Sequence, residues 1–200
     1  MDIASIIFKI PAIIIATTLH EFTRALVSTL LGDARPKRDG RLTLNPVKHF
    51  EPIGFIIAFA TGCGWGKPVE TSALHYKNRK AGIVLTAVMP SVVNMAAAVA
   101  AILCINRLVV TAQYAGYLYY GLRALAYHNI ALAVYNIVPV PPMDGEKVLS
   151  CILKPDNYFK YVQYEKIIQV IFLLLLFMGY AGNVFAPIIT GTMRFISIML

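Results

Sequence analysis

Three strongly polar side chains, His20, Glu21 and Arg24, sit within the run Thr18-Leu19-His20-Glu21-Phe22-Thr23-Arg24-Ala25-Leu26. The flanks are apolar: residues 10–19 and 25–32 carry no charge. An ionisable group at membrane depth costs roughly 2.5–3.5 kcal/mol on insertion scales, so such a cluster demands a chemical reason. His20-Glu21 is the front half of the helical motif His-Glu-x-x-His. In that motif two His, i and i+4, share a helix face and bind zinc, and the Glu between them is the general base. Position 24 is Arg. A guanidinium offers no lone pair and stays protonated. It also sets a fixed positive charge where a cation would sit, an interaction of about 4 kcal/mol per unit charge product at 4 Å and an effective dielectric constant near 20. The first half of a metal site is therefore present and its second ligand is missing.

The elements that must position these residues are membrane helices. The chain has 200 residues, 58% hydrophobic and 14% charged, too apolar for a soluble domain. Cys63, Cys104 and Cys151 are odd in number and far apart, which excludes a disulfide framework or a Cys-x-x-Cys zinc ribbon. The net charge of +8 reads as basic loops beside a membrane and not as a nucleic-acid surface. The N-terminus lacks the basic region and small-residue site of a cleaved signal peptide.

Residues 3–31 predict a first long helix, with Pro11 either kinking it or marking its first turn, and Gly32-Asp33 ending it. Residues 33–50 crowd Arg35, Lys37, Arg38, Arg41 and Lys48 into a loop. There Arg41-Leu42-Thr43-Leu44-Asn45 alternates with period two after the turn signal Asp39-Gly40, which predicts a small β element at the membrane surface. Residues 52–66 are apolar but short and rich in Gly, which fits a re-entrant segment. Residues 81–105 are uncharged and predict a span, and 108–138 predict another, interrupted by Arg123 and His128. Pro139, Pro141 and Pro142 end that helix. Residues 146–166 read as a short amphipathic segment, and 167–193 are again uncharged. The expected fold is an all-α polytopic membrane protein with about 4–6 transmembrane segments, formed by residues 1–200 as a single membrane-embedded domain. No internal repeat is visible, which argues against a transporter. Lys and Arg concentrate in 32–80 and 139–166, while the 106–112 turn holds only Arg107. The positive-inside rule then places loops 33–50 and 139–166 in the cytosol, so that the end of the first helix and Asp144 share one side of the membrane.

With these residues in view, the chain resembles the site-2 proteases, intramembrane zinc metalloproteases, in the small form without a PDZ domain. The resemblance rests on His20-Glu21, Gly40-Arg41-Leu42-Thr43-Leu44-Asn45-Pro46, Gly66-Lys67-Pro68-Val69, Pro90 with Asn94, and Asn136 through Gly145, in that order. It covers most of residues 15–155 and implies a helical membrane core. It implies zinc held by His20, by a second His, and by Asp144 of the Asn-x-x-Pro-x-Pro-x-x-Asp-Gly motif, with Glu21 as general base. It also implies a substrate that is a transmembrane segment unwound into a strand, which Asn136 would hydrogen-bond. The lipid bilayer and a transmembrane protein are then the partners, and nucleic acid is not. The chain departs from the pattern at Arg24, in place of the second ligand, and at Met89, where Gly is frequent.

Two readings follow. One is a metalloprotease; the other is a catalytically inactive relative that binds transmembrane segments without cleaving them. In the second, Arg24 replaces the metal by bridging Asp144 and reaching Glu21; the competing arrangement is an Arg24 that pairs with Glu21 alone, one turn away. His128 could approach the site as a substitute ligand or be satisfied within the bundle. His49 and His75 are expected in solvated basic loops, Cys63 and Cys151 as small buried hydrophobes, and Asn94 and Asn129 as inter-helix glue. For Asn136 a simple polar cap before Pro139 is the competing role.

Overall fold

The computed structural model describes residues 3–108 and 115–200. The chain runs through α1 (Ile3–Leu30), α2 (Arg35–Arg38), α3 (Pro46–His49) and α4 (Pro52–Thr61), then a short 3₁₀ turn at Ala73–His75. It continues through α5 (Arg79–Leu108), α6 (Ala115–Tyr135), α7 (Gly145–Ile152), α8 (Pro155–Gln163), α9 (Glu165–Phe177) and α10 (Tyr180–Met199). The all-helical architecture expected from composition is what forms. Two helices, over Ile6–Leu30 and Arg79–Arg107, are long and apolar enough to cross a membrane. The bent pair formed by α9 and α10 raises that number to three if it counts as one span. Part of the expected 106–112 turn lies outside the described residues.

Helices α1, α5 and α6 form the centre. Their contact faces are built from small residues: Ala12, Ala16 and Ala25 on α1, Ala87, Ala98 and Ala101 on α5, Ala126, Ala131 and Ala133 on α6, all buried. Small side chains let helix backbones approach closely, and close approach is what drives association where lipid is as apolar as the helices themselves. Ile102, Ile130, Tyr135 and Met143 fill the space between them, and Phe172, Leu176 and Ile189 of α9 and α10 close one flank. Large apolar side chains such as Ile15, Val92 and Ile171 point outward. Pro11 lies inside α1 and not at its first turn.

The predicted β element does not form: the described residues contain no strand. Arg41–Asn45 is a bend, because both its ends are drawn into other structures. Asn45 caps α3 by accepting from the Val47 N–H at 3.1 Å, and the Thr43 carbonyl is taken by His49 Nε2 at 2.7 Å. His49 is accordingly buried, not solvated as the loop's charge implied. Glu51 caps α4 through the Ile53 N–H, and Gly62, at φ +82°, ends it in the left-handed conformation that glycine favours. A 10-residue helix is too short to cross, as expected for a re-entrant element. From Cys63 to Thr71 the chain then runs without regular structure past α1.

Asp33 fixes where that irregular stretch ends. Its buried carboxylate accepts the backbone N–H of Ser72 at 2.6 Å and of Arg35 at 3.0 Å, and the Ser28 hydroxyl at 3.1 Å. Burial works to raise its pKa, but these donors, with His75 nearby, outweigh it and hold the carboxyl below the ordinary carboxylate range. A depressed folded-state pKa stabilises the fold above the unfolded value and loses that contribution as pH falls through the folded one. Asp33→Ala should therefore destabilise the protein by about 1.5–3 kcal/mol at neutral pH, the scale of hydrogen bonds to a charged group. Thermal unfolding in detergent checks this, and the gap between wild type and variant should narrow below about pH 4.

Candidate functional site

The site lies where α1, α5 and the turn after α6 meet. On α1, positions 20, 21 and 24 span one turn, and all three side chains are buried. After Tyr135 the chain cannot stay helical through its prolines, and the turn is tied by Asn136. Its carbonyl accepts the Gly145 N–H at 2.7 Å, its side-chain oxygen accepts the Asp144 N–H at 3.3 Å, and its amide donates to the Leu132 carbonyl at 2.9 Å. Gly145 is obligatory, since a Cβ there would lie 2.3 Å from the Ile137 carbonyl oxygen. This closed turn delivers Asp144 to His20, 124 positions earlier in the chain.

The ring of His20 is held from both sides. Nδ1 donates to Asn94 Oδ1 at 2.8 Å. The Asn94 amide donates in turn to the Ala16 carbonyl at 3.0 Å and to Asn129 Oδ1 at 2.7 Å, and Asn129 donates to Leu125 O at 2.8 Å. The relay crosses α1, α5 and α6 and places the proton on Nδ1, leaving Nε2 to face inward. Nε2 lies 2.9 Å from Asp144 Oδ2 and 3.3 Å from Arg24 Nη2. A second ring proton there would donate to Asp144, and without it the lone pair accepts from Arg24.

Arg24 fills the centre. Nη2 donates to Asp144 Oδ2 and Nη1 lies 3.3 Å from Glu21 Oε2, so one guanidinium bridges both carboxylates. Lys147, one turn beyond Asp144 on α7, donates to its other oxygen at 3.1 Å. Two carboxylates thus face two basic side chains, Arg24 and Lys147. Glu21 Oε2 also accepts the Val69 N–H at 2.9 Å, which draws the 63–72 stretch against α1. Gly66 permits the approach: a Cβ there would come within 3.2 Å of Glu21 Cγ. The free space among His20, Glu21, Arg24, Trp65, Pro68 and Pro142 is about 10 Å³, at most one water.

These donors do not fit zinc. Structural and catalytic zinc sites need at least three lone-pair ligands around one point. Here a guanidinium occupies that point, and among the described residues no group of three or more His, Cys, Asp or Glu could hold a metal ion. The proposed substitutes lie elsewhere. His128 packs edge-to-face on Tyr127 and lines a different cavity with Lys9 and Arg123. Cys63 is buried in the apolar core, and Cys151 faces the Lys80 carbonyl. His75 is the half-exposed neighbour of Asp33.

The structure thus brings together His20, Glu21, Arg24, Asp144 and Asn136, the residues singled out from sequence. It adds the orienting role of Asn94, the counter-charge of Lys147 and the Val69 N–H. Asn94 was read from sequence as part of a family motif and as inter-helix glue, but not as a partner of His20, and Lys147 was not singled out, although it stands three positions after Asp144. Nothing in the local sequence marks the Val69 contact.

A helical membrane protein with a buried His–Glu pair on one helix and an Asp delivered by a proline-rich turn has the framework of an intramembrane metallopeptidase. Residues 3–179 match the family described as Peptidase family M50, and the chain belongs to that family, the site-2 proteases. It is 28% identical over 198 residues to "Putative zinc metalloprotease YwhC" of Bacillus subtilis, covering 92% of this chain and 86% of that protein. It is also 28% identical over 170 residues to "Putative zinc metalloprotease Rip2" of Mycobacterium tuberculosis, covering 83% of this chain and 64% of that protein. No solved structure matches the chain.

The bridge makes Arg24 and Asp144 mutually dependent. Removing one partner of a buried pair typically costs ~3–5 kcal/mol, and Arg24→Leu or Asp144→Asn should cost about 3 because Lys147 and Glu21 remain as partial substitutes. The double change should cost clearly less than the sum of the two. Thermal unfolding of all four proteins gives the coupling, and strict additivity would mean that the two side chains do not interact.

Proposed function

We propose that this chain is a non-catalytic member of its family, one that binds transmembrane protein segments without hydrolysing them. The observation that carries this reading is Arg24, whose guanidinium takes both carboxylates that a working site would need for other tasks. Glu21, the base in the family pattern, accepts from Arg24 and from the Val69 N–H, and its oxygen Oε2 is spent on both. His20 and Asp144, the metal ligands of that pattern, face each other across Arg24. What remains for function is recognition. An apolar cavity of about 480 Å³ opens beside the site between α5 and α7, lined by Val88, Val92, Met95, Ile137 and Leu149, with Asn136 as its polar edge. A partly unwound apolar segment would bury its side chains there and present its backbone to Asn136.

In this reading residues 1–200 act as one membrane-embedded unit. The third central helix α6 also crosses, which with α1, α5 and the α9–α10 pair gives four spans. Loops 33–50 and 139–166 face the cytosol, which the concentration of Lys and Arg supports. A second reading, hydrolysis by this chain with Glu21 as base, is favoured by the names of its relatives and by the preserved orientation of His20. It requires Arg24 to leave the centre of the site.

Metal analysis of the purified protein separates the two. The wild type should carry far less than one zinc per chain. Arg24→His should bind zinc, gain thermal stability from it, and cleave a membrane-helix substrate. Stoichiometric zinc on the wild type would overturn the non-catalytic reading. For topology, a single cysteine at Lys48 in a cysteine-free background should resist a membrane-impermeant maleimide added from outside, whereas one at Arg107 should react. Rapid outside labelling at position 48 would invert the orientation.

A further inference from the structure

A second ionisable cluster lies at the far end of the same helices. Lys9 precedes His20 by 11 residues on α1, and Arg123 precedes Asn136 by 13 on α6, so these groups sit about 16–20 Å from the site along the helix axes. They meet in a cavity of about 480 Å³ lined also by Thr61, Tyr120, Tyr127 and His128. Among the described residues no acidic side chain lines it, and neither Lys9 nor Arg123 makes a salt bridge.

Part of this cluster has a structural role. Lys9 Nζ donates to the Phe59 carbonyl, one of the carbonyls left without a partner in the last turn of α4, and lies 4.9 Å from the centre of the Phe59 ring. Arg123 has no such role: it is exposed, one turn beyond Tyr119 and Tyr120. Tyr117, Tyr119 and Tyr120 at the start of α6 are exposed, the placement of an interfacial aromatic belt. That belt puts the cavity mouth at the depth of lipid headgroups. An Arg that merely snorkels to water needs no cavity and no second cation from another helix. Here α1 and α6 each contribute a cation to one concave space, with a His and two phenol hydroxyls supplying further polar groups. Two cations that line one cavity with no described carboxylate beside them leave their charge open to an anionic group. A guanidinium and an ammonium with phenolic donors match the oxygens of a phosphate.

We propose that this cavity binds a phosphate group, presented by an anionic phospholipid in the leaflet opposite the Asp144 turn. Binding there would clamp α1 to α6 and hold α4 against both. The proposal is independent of whether the His20 site hydrolyses anything.

The test is native mass spectrometry of the full chain released from detergent with defined lipids. Phosphatidylglycerol should be retained in preference to phosphatidylcholine. Arg123→Gln should weaken that retention by about fivefold, the contribution of one basic group near a membrane surface. Arg123→Lys should preserve most of it, and Lys37→Gln in the basic loop should leave it unchanged. Because Arg123 is exposed, Arg123→Gln should unfold at the wild-type temperature without lipid, which separates binding from folding. Inorganic phosphate that displaces the lipid in an Arg123-dependent way would support the same chemistry with a free source. Equal retention of the two lipids, or no effect of Arg123→Gln, would overturn the proposal. So would Arg123-dependent binding of an acidic transmembrane peptide with no response to either phosphate probe.

Discussion

One guanidinium between two buried carboxylates is the interaction on which the centre of this molecule depends. Glu21 and Asp144 come from segments far apart in sequence, and neither could stay charged in the interior alone. Arg24 bridges the two, and Lys147 supplies the second positive charge at the remaining oxygen of Asp144. The cost of burying these charges is offset only while the turn after α6 stays closed on α1. The Asn136 clasp and the close approach at Gly145 are therefore parts of the same electrostatic unit. A zinc ion in a complete site would supply two positive charges from outside the chain. Here a counter-charge is covalently part of α1.

Much of this was legible in the sequence, for reasons that can be named. The apolar runs gave the helices, because backbone groups in lipid must be satisfied within the segment. The order of the polar motifs carried the family resemblance that pointed to the site residues, and the distribution of Lys and Arg placed Asp144 on the same side of the membrane as the end of the first helix. Arg24 was readable as an obstacle to metal because its chemistry is independent of context, and both of its partners were foreseen as alternatives. What failed were the stretches where tertiary partners decide. Arg41–Asn45 has the alternation of a strand, but with no edge to pair with, Asn45 turned to capping α3 and Thr43 gave its carbonyl to His49. That one hydrogen bond also buried a His which its basic neighbours made look solvated. The Val69 and Ser72 contacts with α1 could not be read locally, since a backbone N–H carries no sequence signature.

Asn94 illustrates how one residue can satisfy two expectations of different kinds. It holds helices together, as a polar residue in a membrane bundle is expected to, by joining α1, α5 and α6. The same amide fixes which nitrogen of His20 faces the site. The contact that orients the His20 ring is thus part of the helix packing itself.

The two carboxylates that hold the 69–72 stretch, Glu21 on α1 and Asp33 just beyond its end, have a mechanical consequence. Glu21 grips Val69 and Asp33 grips Ser72, each through a backbone N–H. Asp33 is itself tied back to Ser28 of α1, so a strip of chain pinned at both points follows the helix. Helix α1 and the stretch beside it therefore form one lever, and any displacement of α1 along or about its axis is carried to the surface that the stretch presents.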